Sequence, residues 1–345
     1  MSTSNKHGFN TIFNSQLPKR EQRTLLRRIA IAACCGVLAL ILILSISMAI
    51  YTAFNGSNNN PIKDKDITYT DKTFTVDDTK FGSLVFVNEE NSYTLPSDTK
   101  HLASIYDISR NKPYSFAGLS SSMDDNALTA MDAMLIAQNT ANNVKISVRK
   151  AYPKDKISST TTSNEFYTGL VVELKLIDNN DGTYNLADNQ TVYDWFRNNA
   201  HKFGFIMYAA EERVQPGTSN YFRYIGVAHA TALYDYNTAN PDTPMNLKDY
   251  LGALKGYNQN NPFSVKDANN NQYLVYYTTV TKNTTIKVPT NCEYTVSGDN
   301  MGGVIVTINK NARVTPEVET TNESALESET ESVTETTNVS DNDER

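Results

Sequence analysis

The run IAIAACCGVLALILILSISMAIYTAF, residues 29 to 54, carries no charged side chain. At about 1.5 Å of rise per residue, a helix of that length crosses the roughly 30 Å hydrocarbon core of a bilayer. The segment therefore dictates the plan of everything around it. Residues 1 to 28 hold Lys6, Lys19, Arg20, Arg23, Arg27 and Arg28 against the single acid Glu21. Basic residues packed before an apolar span predict a cytoplasmic N-terminus and a chain that continues outside the membrane. The competing reading is a cleaved signal peptide, with SMA at 47 to 49 as its small-residue site. The apolar run exceeds the about 7 to 15 residues of a signal core, which favours a retained single-pass anchor.

The far end is equally biased. Residues 315 to 345 contain ten acids and one base, many Ser and Thr, and almost no large apolar residue. Such a segment buries too little surface to offset its chain entropy and reads as a disordered tail. The net charge of −7 averages these opposed ends. The stretch between them is nearly balanced, with no basic patch of the kind nucleic acid requires. Cys34 and Cys35 fall within the apolar run and only Cys292 lies beyond it. The outer region thus has no internal disulfide, and Cys292 reads as a small buried apolar residue. No Cys/His cluster has metal-binding spacing.

After the anchor, residues 55 to 80 are rich in Asn, Gly, Pro and charge and read as a polar linker. FGSLVFVN, residues 81 to 88, reads as the first strand. DDNALTAMDAMLIAQNTA reads as a helix capped by Asp124 or Asp125, with Leu128, Met131 and Leu135 on its apolar face. Strands follow at 143 to 152 and at 170 to 176, the latter with Leu170, Val172, Leu174 and Leu176 on one face and Val171, Glu173 and Lys175 on the other. A short helix at 191 to 205 closes on Gly204, a strand covers 221 to 226, and a helix covers 245 to 257. Residues 270 to 310 read as a small β-rich appendix with turns at 297 to 300 and 302 to 303.

Three segments in this order, EFYTGLVVEL, DWFRNNAHKFGF and YFRYIGVAHA, resemble the VanY-type D-alanyl-D-alanine carboxypeptidases. These are zinc enzymes that trim the terminal D-alanine from peptidoglycan stem peptides. The first segment is similar to the H-x-x-G-x-A-x-D strand motif of that family, and the third to the strand that begins E-x-W-H. Gly169, Trp195, Asn199, Ala200, Gly204, Phe205, Arg223, Tyr224, Gly226 and His229 take matching positions. The resemblance implies an α+β domain at 81 to 258, an antiparallel sheet flanked by helices as in the Hedgehog/DD-peptidase fold.

The chemistry does not carry across. A catalytic zinc needs three protein ligands and an open position for water. The positions that the resemblance assigns to the two histidines and the aspartate hold Phe166, Tyr221 and Glu173. Its general-base glutamate falls on Thr218, Asn220 replaces its tryptophan, and its carboxylate-binding arginine falls on Pro153, after Tyr152. Zinc is expected in the family and its ligands are missing here, so no cofactor is expected. His201 and His229 read as structural histidines, Glu173 as a partner of Lys175, and Glu211 and Glu212 as solvated loop acids.

The expectation is a membrane-anchored, outward-facing pseudo-peptidase. Its groove, formed by Tyr152, Phe166, Tyr167, Glu173 and Tyr221, would bind a peptidoglycan stem peptide or a cell-envelope protein without cleaving it. Two alternatives stay open: an active DD-carboxypeptidase with a non-standard ligand set, and a purely structural surface protein. Serine hydrolysis and nucleotide binding lack a G-x-S-x-G elbow, a P-loop or a dinucleotide fingerprint.

Overall fold

The structure, a computed structural model, describes residues 61–109, 111–116, 121–153, 158–177, 182–207 and 220–314. The apolar run at 29 to 54 and the acidic tail lie outside the described residues. Among the described residues no helix is long and apolar enough to cross a membrane.

The main sheet is built around Val171–Ile177. It is ordered Phe205–Met207, Tyr221–Tyr224, Val171–Ile177, Ile146–Lys150, Tyr114–Phe116, with the short strand Thr183–Tyr184 also pairing with the central one. All pairs are antiparallel except Tyr114–Phe116 with Ile146–Lys150, which is parallel. The expected antiparallel sheet is thus a mixed one. The parallel pair is connected by the 18-residue helix α1, Asp125–Asn142, a crossover of the kind parallel strands require. Its N-terminus is capped as its sequence predicts: Asp124 Oδ1 accepts from the amides of Asn126 and Ala127 at 3.1 and 3.2 Å. Met131 and Leu135 pack with Val148, Val172 and Leu174 of the sheet and with Phe196 of the helix α2, Gln190–Asn199, in one core.

Three expectations are corrected. Residues 64 to 80 are not linker. Tyr69–Thr75 is a strand paired antiparallel along its whole length with Asn283–Pro289, and Val76–Lys80 forms a 3-10 turn. Charged and hydroxyl side chains disguise this strand because only Phe74 of its seven residues is buried.

FGSLVFVN forms no ladder. Its backbone is held instead by side chains and loops: the Leu84 amide donates to Ser297 Oγ at 2.8 Å, and the Phe86 amide to the Asp299 carbonyl at 3.1 Å. The alternation that suggests a strand is real, but it serves two cores. Val85 and Val87 enter the main core, while Leu84 and Phe86 enter a second one.

The β-rich region at 270 to 310 is no appendix. Phe263–Lys266, Gln272–Thr279, Gly303–Arg313 and Cys292–Gly298 form a four-stranded antiparallel sheet in that order. Val275 and Ile305 of this sheet share the second core with Leu84, Phe86, and the helices α3, Val227–Ala239, and α4, Leu247–Leu254. Helix α3 escapes a reading by periodicity because Ala228 to Leu233 are all buried, so no apolar stripe stands against a polar face. All these elements belong to one compact unit that begins at Lys63.

Candidate functional site

The opening segment of the resemblance folds by local capping. Asn164 accepts from the Phe166 amide at 3.1 Å and starts a 3-10 turn, Glu165–Thr168. Gly169 ends it at φ 74°. A side chain at Gly169 is excluded twice over, since its Cβ would lie 2.6 Å from Leu102 Cδ2 and 2.8 Å from the Asp124 amide nitrogen. The turn delivers Phe166 to the start of the central strand.

The three positions assigned to zinc ligands converge. Tyr221 lies directly opposite Glu173 in the ladder, and the Phe166 and Tyr221 rings meet edge to face, centroids 6.0 Å apart. Lys150 also pairs with Glu173 across the adjoining strand and places its ammonium 4.2 Å from the Phe166 ring centroid. The Lys150 contact is a cation–π pair. Glu173 pairs with Lys175 at 3.6 Å, as its sequence position suggests.

This set does not fit a zinc ion. Phe166, 8% exposed, has no lone pair to offer. The Tyr221 hydroxyl is pushed above its usual pKa, first by burial and then by the Glu173 carboxylate, which disfavours the phenolate a metal would need. Glu173 is engaged with a lysine, and a second ammonium sits beside the Phe166 ring where a dication would have to approach. Among the described residues no group of three or more His, Cys, Asp or Glu is arranged to hold a metal. Thr218, Glu211 and Glu212 lie outside the described residues. Asn220 has a structural role, in which its Oδ1 accepts from the Leu186 amide at 2.8 Å and its amide donates to Asn185 Oδ1 at 2.9 Å.

The proposed groove is only partly assembled. Tyr152 and Tyr167 form their own edge-to-face pair, centroids 5.5 Å apart, with Tyr167 buried in the main core. Phe166 is buried too, so the aromatic positions fill space more than they line an opening. Tyr221 and Glu173 remain half-buried.

Arg223, read from the sequence only as a matching position, is fully buried. Its Nε donates to Glu165 Oε1 at 2.7 Å, its Nη2 to the Val85 carbonyl at 2.9 Å, and its Nη1 to the Tyr224 carbonyl. It ties the turn that carries Phe166 to both the sheet and the seam at Val85.

The histidines are structural. His229 bonds Tyr250 Oη at 2.8 Å and Thr307 Oγ1 at 2.7 Å, and burial lowers its pKa to about 3. His201 stacks on Tyr234 at 3.7 Å, and burial with Lys202 nearby lowers its pKa to about 4. Cys292 is buried and its thiol is raised chiefly by that burial, the behaviour of an inert thiol.

No family model matches the chain. A D-alanyl-D-alanine carboxypeptidase of Enterococcus faecium is 36% identical over 118 residues, 33% of this chain and 35% of that protein. The chain thus matches about a third of the length of this relative. Among solved structures, the vancomycin resistance D,D-dipeptidase VanXYg in complex with a D-Ala-D-Ala phosphinate analogue superposes with a TM-score of 0.52 at 22% identity. That match covers 70% of this chain and 99% of the other. The D,D-pentapeptidase VanY in complex with Zn(II) gives a TM-score of 0.32 at 20% identity, over 49% of this chain and 98% of that one. The chain resembles the VanY-type DD-peptidases in sequence and shares the fold of VanXYg.

Proposed function

We propose that this chain is a membrane-anchored, outward-facing DD-peptidase homologue that has lost zinc and catalysis and binds a cell-wall stem peptide without cleaving it. The observation that carries the reading is the convergence of Phe166, Glu173 and Tyr221 at one spot with Lys150 beside them. Their meeting at one spot supports the register of the resemblance, and their side chains do not suit a zinc ion. Without a metal-bound water the inherited hydrolysis has no nucleophile, and the Lys175 ammonium balances the charge of Glu173. The half-buried Tyr221 hydroxyl and the Lys150 and Lys175 ammonium groups offer donors that suit the carboxylate end of a peptide. The apolar run at 29 to 54, preceded by its basic segment, supports the anchor.

The test is elemental analysis of the full chain after equilibration with zinc, followed by an assay of D-alanine release from a stem peptide ending in D-Ala-D-Ala. The expected result is far less than one zinc per chain, no D-alanine release, and saturable retention of the intact peptide. Near-stoichiometric zinc with chelator-sensitive release would replace this reading with an active carboxypeptidase. Absence of both cleavage and peptide binding would leave a purely structural surface protein.

A further inference from the structure

A cavity of about 880 Å³ opens between the peptidase-like sheet and the four-stranded sheet. None of Tyr152, Phe166, Tyr167, Glu173 or Tyr221 lines it. It is a different place from the degenerate site, and its volume lies within the roughly 300 to 1,000 Å³ typical of ligand sites. From its walls we infer that it binds a neutral, hydroxyl-rich glycan segment, a function separate from peptide binding at the degenerate site.

Part of the lining comes from the four-stranded sheet and its edge strand Cys292–Gly298. In register across three strands, Tyr273, Asn309 and Glu293 form one rung, and Thr307 and Thr295 stand on the next rung of the same face. All five line the cavity. The Thr307 hydroxyl bonds His229 Nε2 and the Tyr273 hydroxyl donates to Asp267 Oδ2, so Thr295, Asn309 and Glu293 are the groups that offer donors and acceptors to a ligand with many hydroxyl groups. Glu293 is exposed and makes no ion pair among the described residues.

The opposite wall supplies rings and a second carboxylate. Tyr93 and Tyr224 both lie close enough to Asp124 for its charge to raise their hydroxyl pKa values, after the larger effect of burial. Asp124 spends its Oδ1 on the first amides of α1. At the mouth, Phe81 and Val314 are 39% and 42% exposed, two of the few large apolar side chains that face solvent anywhere among the described residues. Pyranose rings carry C–H groups on their faces and hydroxyls at their edges. Aromatic faces, which are electron-rich, match the first, and Thr, Asn and carboxylate groups match the second.

Charge decides against the other ligand classes. No lysine or arginine is found among the described residues that line the cavity, while Glu293 and Asp124 are, a lining that disfavours a phosphate, a nucleotide or a peptide carboxylate. Gly226, at the start of α3, adds room: a Cβ there would meet nothing within 4 Å.

The experiment is calorimetric titration of the full chain with a β-1,4-linked tetramer of N-acetylglucosamine, which contains no peptide. Saturable binding is expected, weakened roughly three- to tenfold in Phe81→Ala through loss of one stacking ring. A similar loss is expected in Glu293→Gln, with unchanged thermal melting of both variants. Three results would overturn the proposal. The first is no binding at millimolar tetramer, and the second is binding that neither substitution alters. The third is tighter, salt-sensitive binding of the de-N-acetylated tetramer, which would mark a cation site instead. Because the probe has no D-Ala-D-Ala end, failure here leaves the peptide-binding reading untouched, and the reverse also holds.

Discussion

At the level of single residues, Phe166, Glu173 and Tyr221 come together although 48 residues separate the last two in sequence, Tyr221 facing Glu173 in the ladder and meeting Phe166 ring to ring. Their positions are legible in the sequence because turn chemistry, Gly169 and strand alternation fix them locally. What closes around them is not legible: nothing in the sequence spacing brings Lys150 over Phe166, since that contact depends on the pairing of two strands and a turn. The arrangement predicts how the site would answer to repair. Placing zinc-ligating side chains at all three positions, as Phe166→His, Glu173→Asp and Tyr221→His, is expected to give zinc binding tighter than that of the unsubstituted chain. The Lys150 ammonium would still oppose the ion. Two positive charges facing one at about 4 Å cost roughly 2 kcal/mol even at the dielectric of water. Adding Lys150→Met should therefore tighten zinc binding at least about tenfold, measured by competition with a chromophoric chelator. Equal affinities with and without Lys150 would mean that its side chain swings away and takes no part in the site. Arg223 belongs to the same scale. Arg223→Met removes the cation from the buried Glu165 and the donors from the Val85 and Tyr224 carbonyls, and should cost about 3 to 5 kcal/mol in urea unfolding.

Among the elements, those with a clean period and a cap could be read in advance: α1 with Asp124, the central strand, and the helix that closes on Gly204. The elements missed each lack that contrast. Helix α3 is buried on all sides from Ala228 to Leu233, Tyr69–Thr75 carries mostly polar residues, and the seam at 84 to 87 alternates without belonging to a ladder. The missed strand changes what can be cut from the chain. Its partner Asn283–Pro289 has no other ladder among the described residues, so removing residues up to 80 would leave that strand's backbone groups unpaired. It would also remove Thr79 and Lys80, whose turn packs on the edge of Cys292–Gly298; the Asn300 amide donates to the Thr79 carbonyl at 2.7 Å. A form beginning at Lys63 is expected to melt like the full outer region. One beginning at Phe81 should lose several degrees or aggregate, as read by thermal scanning and size-exclusion chromatography. Equal melting of the two would show that the strand pair contributes nothing to stability.

Over the whole molecule, the elements around the second core are tied by polar contacts as well as by apolar packing, and His229 is the clearest of them. It sits on α3, bonds Tyr250 of α4 and Thr307 of the four-stranded sheet, and is held neutral by burial. Sequence spacing cannot reveal this, because its partners lie 21 and 78 residues away. The linkage has a definite sign. The folded chain holds His229 with a pKa of about 3 and His201 with one of about 4, against 6.5 for an unburied imidazole. Between those values the unfolded chain binds protons that the folded chain refuses, so stability is fully present above pH 6.5 and falls as pH drops toward 4. The slope is at most about 1.4 kcal/mol per pH unit for each histidine. Carboxylates in their ordinary range add little until the lower end of that window. The urea midpoint should therefore decline from pH 6.5 to 4.5, and His229→Gln, less stable at neutral pH, should show about half the decline. A midpoint that stays level over this window would mean that the buried histidines gain their protons without unfolding. In that case the contact between α3, α4 and the sheet at Thr307 opens locally, and the second core is less tightly closed than its packing suggests.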